Sequence, residues 1–217
     1  MKSDTQIQKD VIDELRWDPS IRENEIGVAA KGGVVTLSGF VDSYAEKHAA
    51  ERAAQRVSGV TAIAEDLVVR LVPTAKRTDA DIAHAAITAL KWDVQVPDEK
   101  IKVMVDDGYI TLSGDVEWKF QQDAAQRAVR YLTGAKGVIN LIKVMPKRAS
   151  KFEVSAKIKD ALRRGAERDA DRITVEAADG KVTLKGTVRS FAERSDAERA
   201  AWSAPGVSSV DDRIAIG

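Results

Sequence analysis

The sequence predicts an α+β protein of three tandem small domains, each with the element order helix–strand–strand–helix–strand and a three-stranded sheet. A glycine-flanked apolar stretch occurs three times at nearly equal intervals, beginning at Gly33, Gly108 and Gly180. Each copy follows a segment with apolar residues four positions apart, which indicates a helix, and each opens at a tight-turn signal. The expected domain boundaries are residues 1–72, 76–146 and 148–217.

The first helix of each domain is predicted from apolar residues on one helix face, such as Ile7, Val11 and Leu15. A hydroxyl residue precedes each helix, and a polar residue three positions later can complete a capping box. Two pairs fit this motif well, whereas the third is expected to be weaker because aspartate is short. The pairs are Ser3 with Gln6, Ser150 with Glu153 and, as the weaker one, Thr78 with Asp81.

Strands one and two are predicted to form a hairpin in every domain. Apolar residues alternate on both sides of a Gly-Gly or Asp-Gly pair, and such a pair favours a type I′ turn, which needs positive φ at both central residues. The turn pairs are Gly32-Gly33, Asp107-Gly108 and Asp179-Gly180. A second glycine follows in strand two on the core-facing side, where a missing side chain is expected to admit a closely packed helix. These glycines are Gly39, Gly114 and Gly186.

An alanine-rich second helix and a third strand complete each domain. Capping boxes begin this helix in the first and third domains, at Ser43 with Glu46 and at Ser190 with Glu193. The middle domain has Trp118 at that position, so a missing cap is expected to cost about 1 kcal/mol unless another group supplies it. The helix is expected to end at C′ glycines, and strand three is expected to follow by a right-handed crossover if it runs parallel to strand two. The three glycines are Gly59, Gly134 and Gly206.

Composition argues against several classes of function. The chain has no cysteine, and its 34 basic residues balance its 34 acidic ones, which is the wrong balance for a nucleic-acid-binding protein. The two histidines, His48 and His84, have no partner at ligand spacing and are expected on helix surfaces. No catalytic residue, metal site or cofactor is therefore expected. The start of the sequence has no apolar leader, which predicts a cytoplasmic location, or a periplasmic one if the chain is a mature form.

Two groups of residues are candidates for binding a lipid surface or a partner protein. Trp17 and Trp92 occupy the same repeat position after the first helix, where an indole can anchor an interface or cover a small core. Covering the core is the favoured interpretation. A basic region at the start of the third domain could meet anionic lipid headgroups. Its residues are Lys147, Arg148, Lys151, Arg163, Arg164 and Arg168.

A short loop offers a weaker nucleic-acid signal. Gly134-Ala135-Lys136-Gly137 has the form of the loop with which KH domains clamp a nucleic-acid backbone. It stands before a strand rather than between two helices, so it is interpreted as a turn that ends a helix. No nucleic-acid partner is expected.

The repeated strand, the alanine-rich helix and the closing Val57-Ser58-Gly59-Val60 resemble the BON domain family, in three tandem copies. This resemblance implies a helix–strand–strand–helix–strand fold and a non-enzymatic role in bacterial osmotic or envelope stress, with binding to phospholipid surfaces. A chaperone-like or protein-interaction role is the alternative. The family's polar position in strand three, commonly asparagine, is Asn140 in the second domain but Glu65 and Asp212 in the others. The sequence leaves the oligomeric state open.

Overall fold

The computed structural model describes residues 2–146, 154–155, 157–158, 161 and 173–216. The first domain contains α1 (Asp4–Trp17), β1 (Ile26–Lys31), β2 (Val34–Val41), α2 (Tyr44–Arg56) and β3 (Ala62–Val69). The second contains α3 (Asp79–Trp92), β4 (Ile101–Asp106), β5 (Tyr109–Val116), α4 (Lys119–Arg130) and β6 (Gly137–Val144). The third contains β7 (Ile173–Ala178), β8 (Lys181–Val188), α5 (Phe191–Trp202) and β9 (Ser209–Ile216), and the described residues between 154 and 161 are helical. The predicted fold of three tandem α+β domains is confirmed.

Strand two is the central strand of every sheet. The strand orders are β1-β2-β3, β4-β5-β6 and β7-β8-β9. The first pair in each sheet is an antiparallel hairpin. β3 and β9 run parallel to β2 and β8, as a crossover through the second helix requires. This order could not be predicted from the sequence.

The helices of each domain pack on one face of its sheet. The core-facing residues of strand two are fully buried, with 0% exposure for the two at the centre of each copy. The predicted face of α1, formed by Ile7, Val11 and Leu15, is buried against them, and small residues such as Ala50 let α2 approach closely. The central pairs are Val35 with Leu37, Ile110 with Leu112, and Val182 with Leu184.

The chain divides into two compact units. Residues 1–116 and 120–143 form one unit, which holds the first two domains, and residues 117–119 and 144–217 form the other. The core of the third domain joins Val154 and Ile158 of its first helix to the apolar residues of its sheet and of α5.

The hairpin turns have the predicted conformation, and hydrogen bonds that sequence reasoning missed also stabilise them. Both central residues of each turn have positive φ. In the first domain the Asp4 carboxylate accepts hydrogen bonds from the backbone N–H groups of Gly32, at 2.9 Å, and Gly33, at 3.3 Å. Asp79 accepts the equivalent pair in the second domain. The start of the first helix is thereby tied to the hairpin tip.

The helix caps differ from the capping boxes that were expected. The pair predicted to be weaker, Thr78 with Asp81, forms the complete reciprocal box. Ser3 accepts from the Gln6 N–H, but the Gln6 side chain donates to Asp10 instead of reaching back. A short aspartate can therefore close the box, whereas the longer glutamine finds a carboxylate one turn along the helix. The Ser150 pair lies outside the described residues.

The helix-packing role expected for Gly39 and Gly114 is wrong. Gly39 has φ of +119°, and a Cβ there would overlap the backbone carbonyl oxygen of Glu25, in the residue just before β1. Gly114 meets the Lys100 carbonyl in the same way. The glycine therefore allows the incoming backbone of strand one to approach, and no helix is involved. Gly186 also has positive φ.

The expected C′ role of Gly59, Gly134 and Gly206 is also wrong. α2 ends at Arg56, and Gly59 is the third residue of a following turn closed by the Val60 N–H and the Val57 carbonyl. The other two glycines occupy the same position in equivalent turns, and all three have φ between 83° and 96°. A type II turn requires such a φ at its third residue, and this requirement explains the glycine.

Substitution of the two glycines of β2 and its turn will have unequal effects. Gly39→Ala will lower the free energy of unfolding by more than about 3 kcal/mol. The alanine is strained at a φ that favours glycine, and its Cβ also overlaps a backbone carbonyl. Gly32→Ala will cost about 1–2 kcal/mol, since its φ is +60° and a Cβ there meets nothing within 4 Å. Urea unfolding followed by circular dichroism measures both. Equal losses would contradict the assigned role of Gly39.

Candidate functional site

Trp17 and Trp92 are the last residues of α1 and α3 and point into solvent. They are 83% and 86% exposed. The interpretation that they cover the core is therefore wrong. Each follows the buried leucine of its helix, Leu15 or Leu90, by two positions, and two positions on a helix are a rotation of about 200°. The helix continues through the tryptophan, so its ring lies on the side opposite the core.

The turn after each tryptophan is held by an aspartate. The Asp18 carboxylate accepts hydrogen bonds from the Ser20 hydroxyl, at 2.6 Å, and from its backbone N–H, at 3.0 Å. These hydrogen bonds lower the pKa of Asp18. Asp93 accepts the equivalent bond from the Gln95 N–H. Ile21 and Val96 are buried just beyond, so each tryptophan sits at a fixed corner of its domain.

Val94 is a candidate residue that the sequence reasoning missed. It follows Trp92 by two positions and is 99% exposed. Lys91 precedes the tryptophan and is also exposed. The sequence did contain a signal for Val94. It is an apolar residue inside a turn that begins with an aspartate, and it occupies the position of Pro19 in the first domain. Trp92 and Val94 together form an exposed apolar corner beside a cation.

The predicted basic region cannot be placed. All six of its residues lie outside the described part of the chain. They are Lys147, Arg148, Lys151, Arg163, Arg164 and Arg168. Of the residues predicted to bind lipid or a partner, only Trp17 and Trp92 lie within the described part of the chain.

The glycine loop with the KH-like spacing is a turn, as expected. The Lys136 ammonium lies 2.6 Å from the Asp107 carboxylate, and its backbone N–H donates to the Gly108 carbonyl. Gly137 begins β6 and packs against the Tyr109 ring. The lysine of this loop thus holds the hairpin turn of its own domain.

A cleft of 460 Å³ lies between the first two domains. It is lined by the turn after α1, the exposed side of α2 and Tyr131 of the second domain. His48 lies on the cleft side of α2, outside the set of buried residues of that helix, and its side chain is 23% exposed. His84 is exposed as expected. The helix face that carries His48 thus shares this cleft with Tyr131 of the second domain.

A polar cluster joins the two domains beside this cleft. His48 Nδ1 lies 3.4 Å from the Glu51 carboxylate. The pKa of Glu51 is lowered, first by its hydrogen bond with His48 and further by the charges of Arg130 and Lys47. Burial raises the pKa of the Tyr44 hydroxyl. Because Tyr44 and Glu51 belong to α2 and Arg130 to α4, the cluster couples the first domain to the second.

Over the described residues, no cluster of histidine and carboxylate side chains could hold a metal ion. Within the same ranges, no helix is both long and apolar enough to cross a membrane.

A model of the BON domain matches the chain three times, over residues 3–70, 78–146 and 150–217. The chain belongs to the BON domain family. Osmotically-inducible protein Y of Escherichia coli (strain K12) is 35% identical over 128 residues, which are 57% of this chain and 64% of that protein. This chain therefore matches less than two thirds of that relative's length.

Two solved structures of CdsD, a structural protein of the type III secretion system of Chlamydia trachomatis, show a weak likeness at 12% identity. The C-terminal domain of CdsD gives a TM-score of 0.27 over 100% of both chains. The other structure gives 0.25 over 98% of this chain and 92% of that one. TM-scores this low support no inference about this BON protein.

The polar position in strand three has a structural role in the second and third BON domains. Asn140 donates to the Gln122 carbonyl of α4 and accepts from the Ile142 N–H of its own strand. Asp212 accepts from the Ile214 N–H and from Arg194 of α5, at 2.7 Å. Asparagine and aspartate thus both fix the second helix to strand three.

Removal of His48 will raise the pKa of Glu51. A lowered carboxyl pKa adds stability at a pH above its unfolded value, and that stability is lost as the pH falls through the folded value. His48→Ala removes the largest cause of the lowered pKa, so Glu51 will contribute less stability above its unfolded pKa, and less stability will be lost on acidification. Carboxyl NMR titration measures the change, with His84→Ala as the control that leaves Glu51 unaffected. An unchanged Glu51 pKa in His48→Ala would show that the pair does not form.

Proposed function

We propose that this chain is a non-enzymatic, stress-related BON protein that associates with phospholipid membrane surfaces through the corners that carry Trp17 and Trp92. The observation that carries the proposal is the exposure of both indoles, 83% and 86%, at equivalent helix ends. Family membership and the similarity to an osmotically inducible protein support the stress-related role.

An exposed indole is suited to the boundary between lipid and water. Its ring is large and apolar, while its N–H can still hydrogen-bond in the headgroup region. Full burial of a large apolar side chain contributes roughly 1.5–3 kcal/mol, and these two side chains gain little of it within the protein. Trp92 adds Val94, which is 99% exposed, so the second domain offers the larger apolar corner.

Charge would supply the second part of the binding energy. Lys91 lies next to Trp92, and the sequence places six basic residues at the start of the third domain. Each lysine or arginine close to an anionic membrane contributes about 1 kcal/mol, screened by salt. The whole chain has a net charge of zero, so local clusters have to provide this attraction. We therefore expect preference for anionic vesicles at low salt.

Vesicle flotation tests this function. The chain will float with anionic phospholipid vesicles at low salt, less with zwitterionic ones, and less again at high salt. Trp92→Ala will reduce the bound fraction several-fold, Trp17→Ala will reduce it less, and the double substitution will reduce it most. These side chains are exposed, so the fold is expected to tolerate the changes, which circular dichroism checks.

Ile87→Ala is the matched control, because Ile87 is also an exposed apolar residue of α3, at 44%. It will leave flotation unchanged. Absence of lipid-dependent flotation at low salt would refute the proposed function, and equal binding by the double variant would refute the role of the two tryptophans.

A chaperone-like function is the second candidate, since the same exposed side chains, Trp17, Trp92 and Val94, could bind apolar segments of a client protein. This function predicts suppression of client aggregation in the absence of lipid, weakened by Trp17→Ala and Trp92→Ala. It also predicts no flotation with vesicles alone. Suppression that both variants retain in full would argue against these corners as the client-binding surface.

A further inference from the structure

The sheet of the second domain has an apolar face that its helices leave open. Met104, Tyr109, Ile139 and Leu141 lie on the side of the sheet opposite the buried residues of β4, β5 and β6. They are 62%, 46%, 47% and 58% exposed. Together they present roughly 400 Å² of apolar surface, interrupted by Thr111 of the central strand, and this area is similar to that of the largest patches of ordinary monomers, which are often functional. We name these four residues the open face.

The third domain shows that the fold does not need apolar residues there. Its equivalent positions are occupied by Glu176, Lys181, Asp211 and Arg213. The Arg213 guanidinium pairs with Asp211 at 2.7 Å, and Glu176 pairs with a lysine of the neighbouring strand at 2.9 Å. The same backbone thus carries a salt-bridged, solvated face in one domain and an apolar one in another.

The first domain agrees with this comparison. Its equivalent residues are small, moderately apolar or acidic, namely Ala29, Val34, Ala64 and Asp66. Of the three described sheets, the second alone exposes four large apolar side chains on its open side; the first exposes three, namely Val34, Phe40 and Val68. The open face is therefore a feature of this domain and not of the repeat.

We infer that the open face binds the open face of a second copy of this chain, in a two-fold symmetric dimer. Two sheets that pack face to face bury alternate side chains from both, and a patch that meets itself needs no separate partner. Two copies would bury roughly 800 Å² of apolar area and a polar rim, which places the interface at the low end of specific contacts. The dimer is therefore weak and depends on concentration.

The charges around the open face favour this partner. Lys102 and Lys143 lie at one end of the sheet with Asp115, and Asp106 lies at the other end, beside the hairpin turn. Lys143 belongs to the first end because Gly137, at the start of β6, packs on Tyr109, at the start of β5. A two-fold axis that lies in the interface and perpendicular to the strands places the basic end of one copy over the acidic end of the other. The face is thus complementary to itself in charge.

The decisive variant transfers the third domain's residues to the second. Ile139→Asp with Leu141→Arg copies the Asp211 and Arg213 pair, which the same backbone already accommodates. Val68→Lys is the matched control, because Val68 is 55% exposed on the open side of the first sheet and Lys143 is its equivalent. Circular dichroism verifies that both variants are folded.

Sedimentation equilibrium of the full chain over a broad concentration range is the test. The average mass will rise from the monomer's 23.6 kDa toward twice that value. The double variant will raise the dissociation constant of the dimer by about tenfold or more, because it buries charges at the centre of the interface. Val68→Lys will not change it.

Three results would overturn the inference. The first is a chain that stays monomeric to the highest concentration reached. The second is a dimer that the double variant forms equally well. The third is association seen only with phospholipid vesicles and lost in the double variant, since the open face would then be a lipid-binding surface. This third result is recognised by reduced flotation of the double variant without any self-association. Failure of the proposed function is recognised separately, through the Trp17 and Trp92 variants, because that function rests on the two tryptophans.

Discussion

Burial of the central strand is the constraint on which each of the three domains depends. β2, β5 and β8 have a strand on both sides and helices on one face, and their inward residues are fully buried. Burial without voids leaves little choice of side chain, because changes in volume create cavities or strain. The alternating apolar residues therefore recur in all three copies. The glycines of the turns and of strand two recur for a different reason, since their backbone has a positive φ that favours glycine.

Much of the fold could be predicted because the deciding interactions are local. Helix faces, hairpin turns and the apolar side of each strand follow from residues a few positions apart. The features that sequence reasoning missed depend on residues distant in the chain: Asp4 holds a turn 28 residues away, and Gly39 accommodates the carbonyl of Glu25, just before the neighbouring strand. The tryptophans were misplaced because each helix continues two residues beyond its last core leucine. Two helical positions are a rotation of about 200°, which turns their rings away from the core.

The surfaces that can bind a partner are those on which the copies differ. Trp17 and Trp92 are repeated in the first two domains, whereas the third has Arg164 at that position. The open side of the sheet is apolar in the second domain and charged in the third. Both sites lie outside the shared core, where a substitution has little effect on folding. Tandem repetition thus gives one stable scaffold several different outer surfaces.

The claim that the exposed tryptophans meet the membrane can be tested residue by residue with ¹⁹F NMR. The chain has four tryptophans, Trp17, Trp92, Trp118 and Trp202, so 5-fluorotryptophan gives one resonance for each. Vesicles that contain spin-labelled anionic phospholipid will broaden the Trp92 resonance most and the Trp17 resonance next. Trp202, which is partly buried against the core of the third domain, will change least. Broadening of Trp202 with sharp Trp17 and Trp92 resonances would contradict the proposed membrane contact.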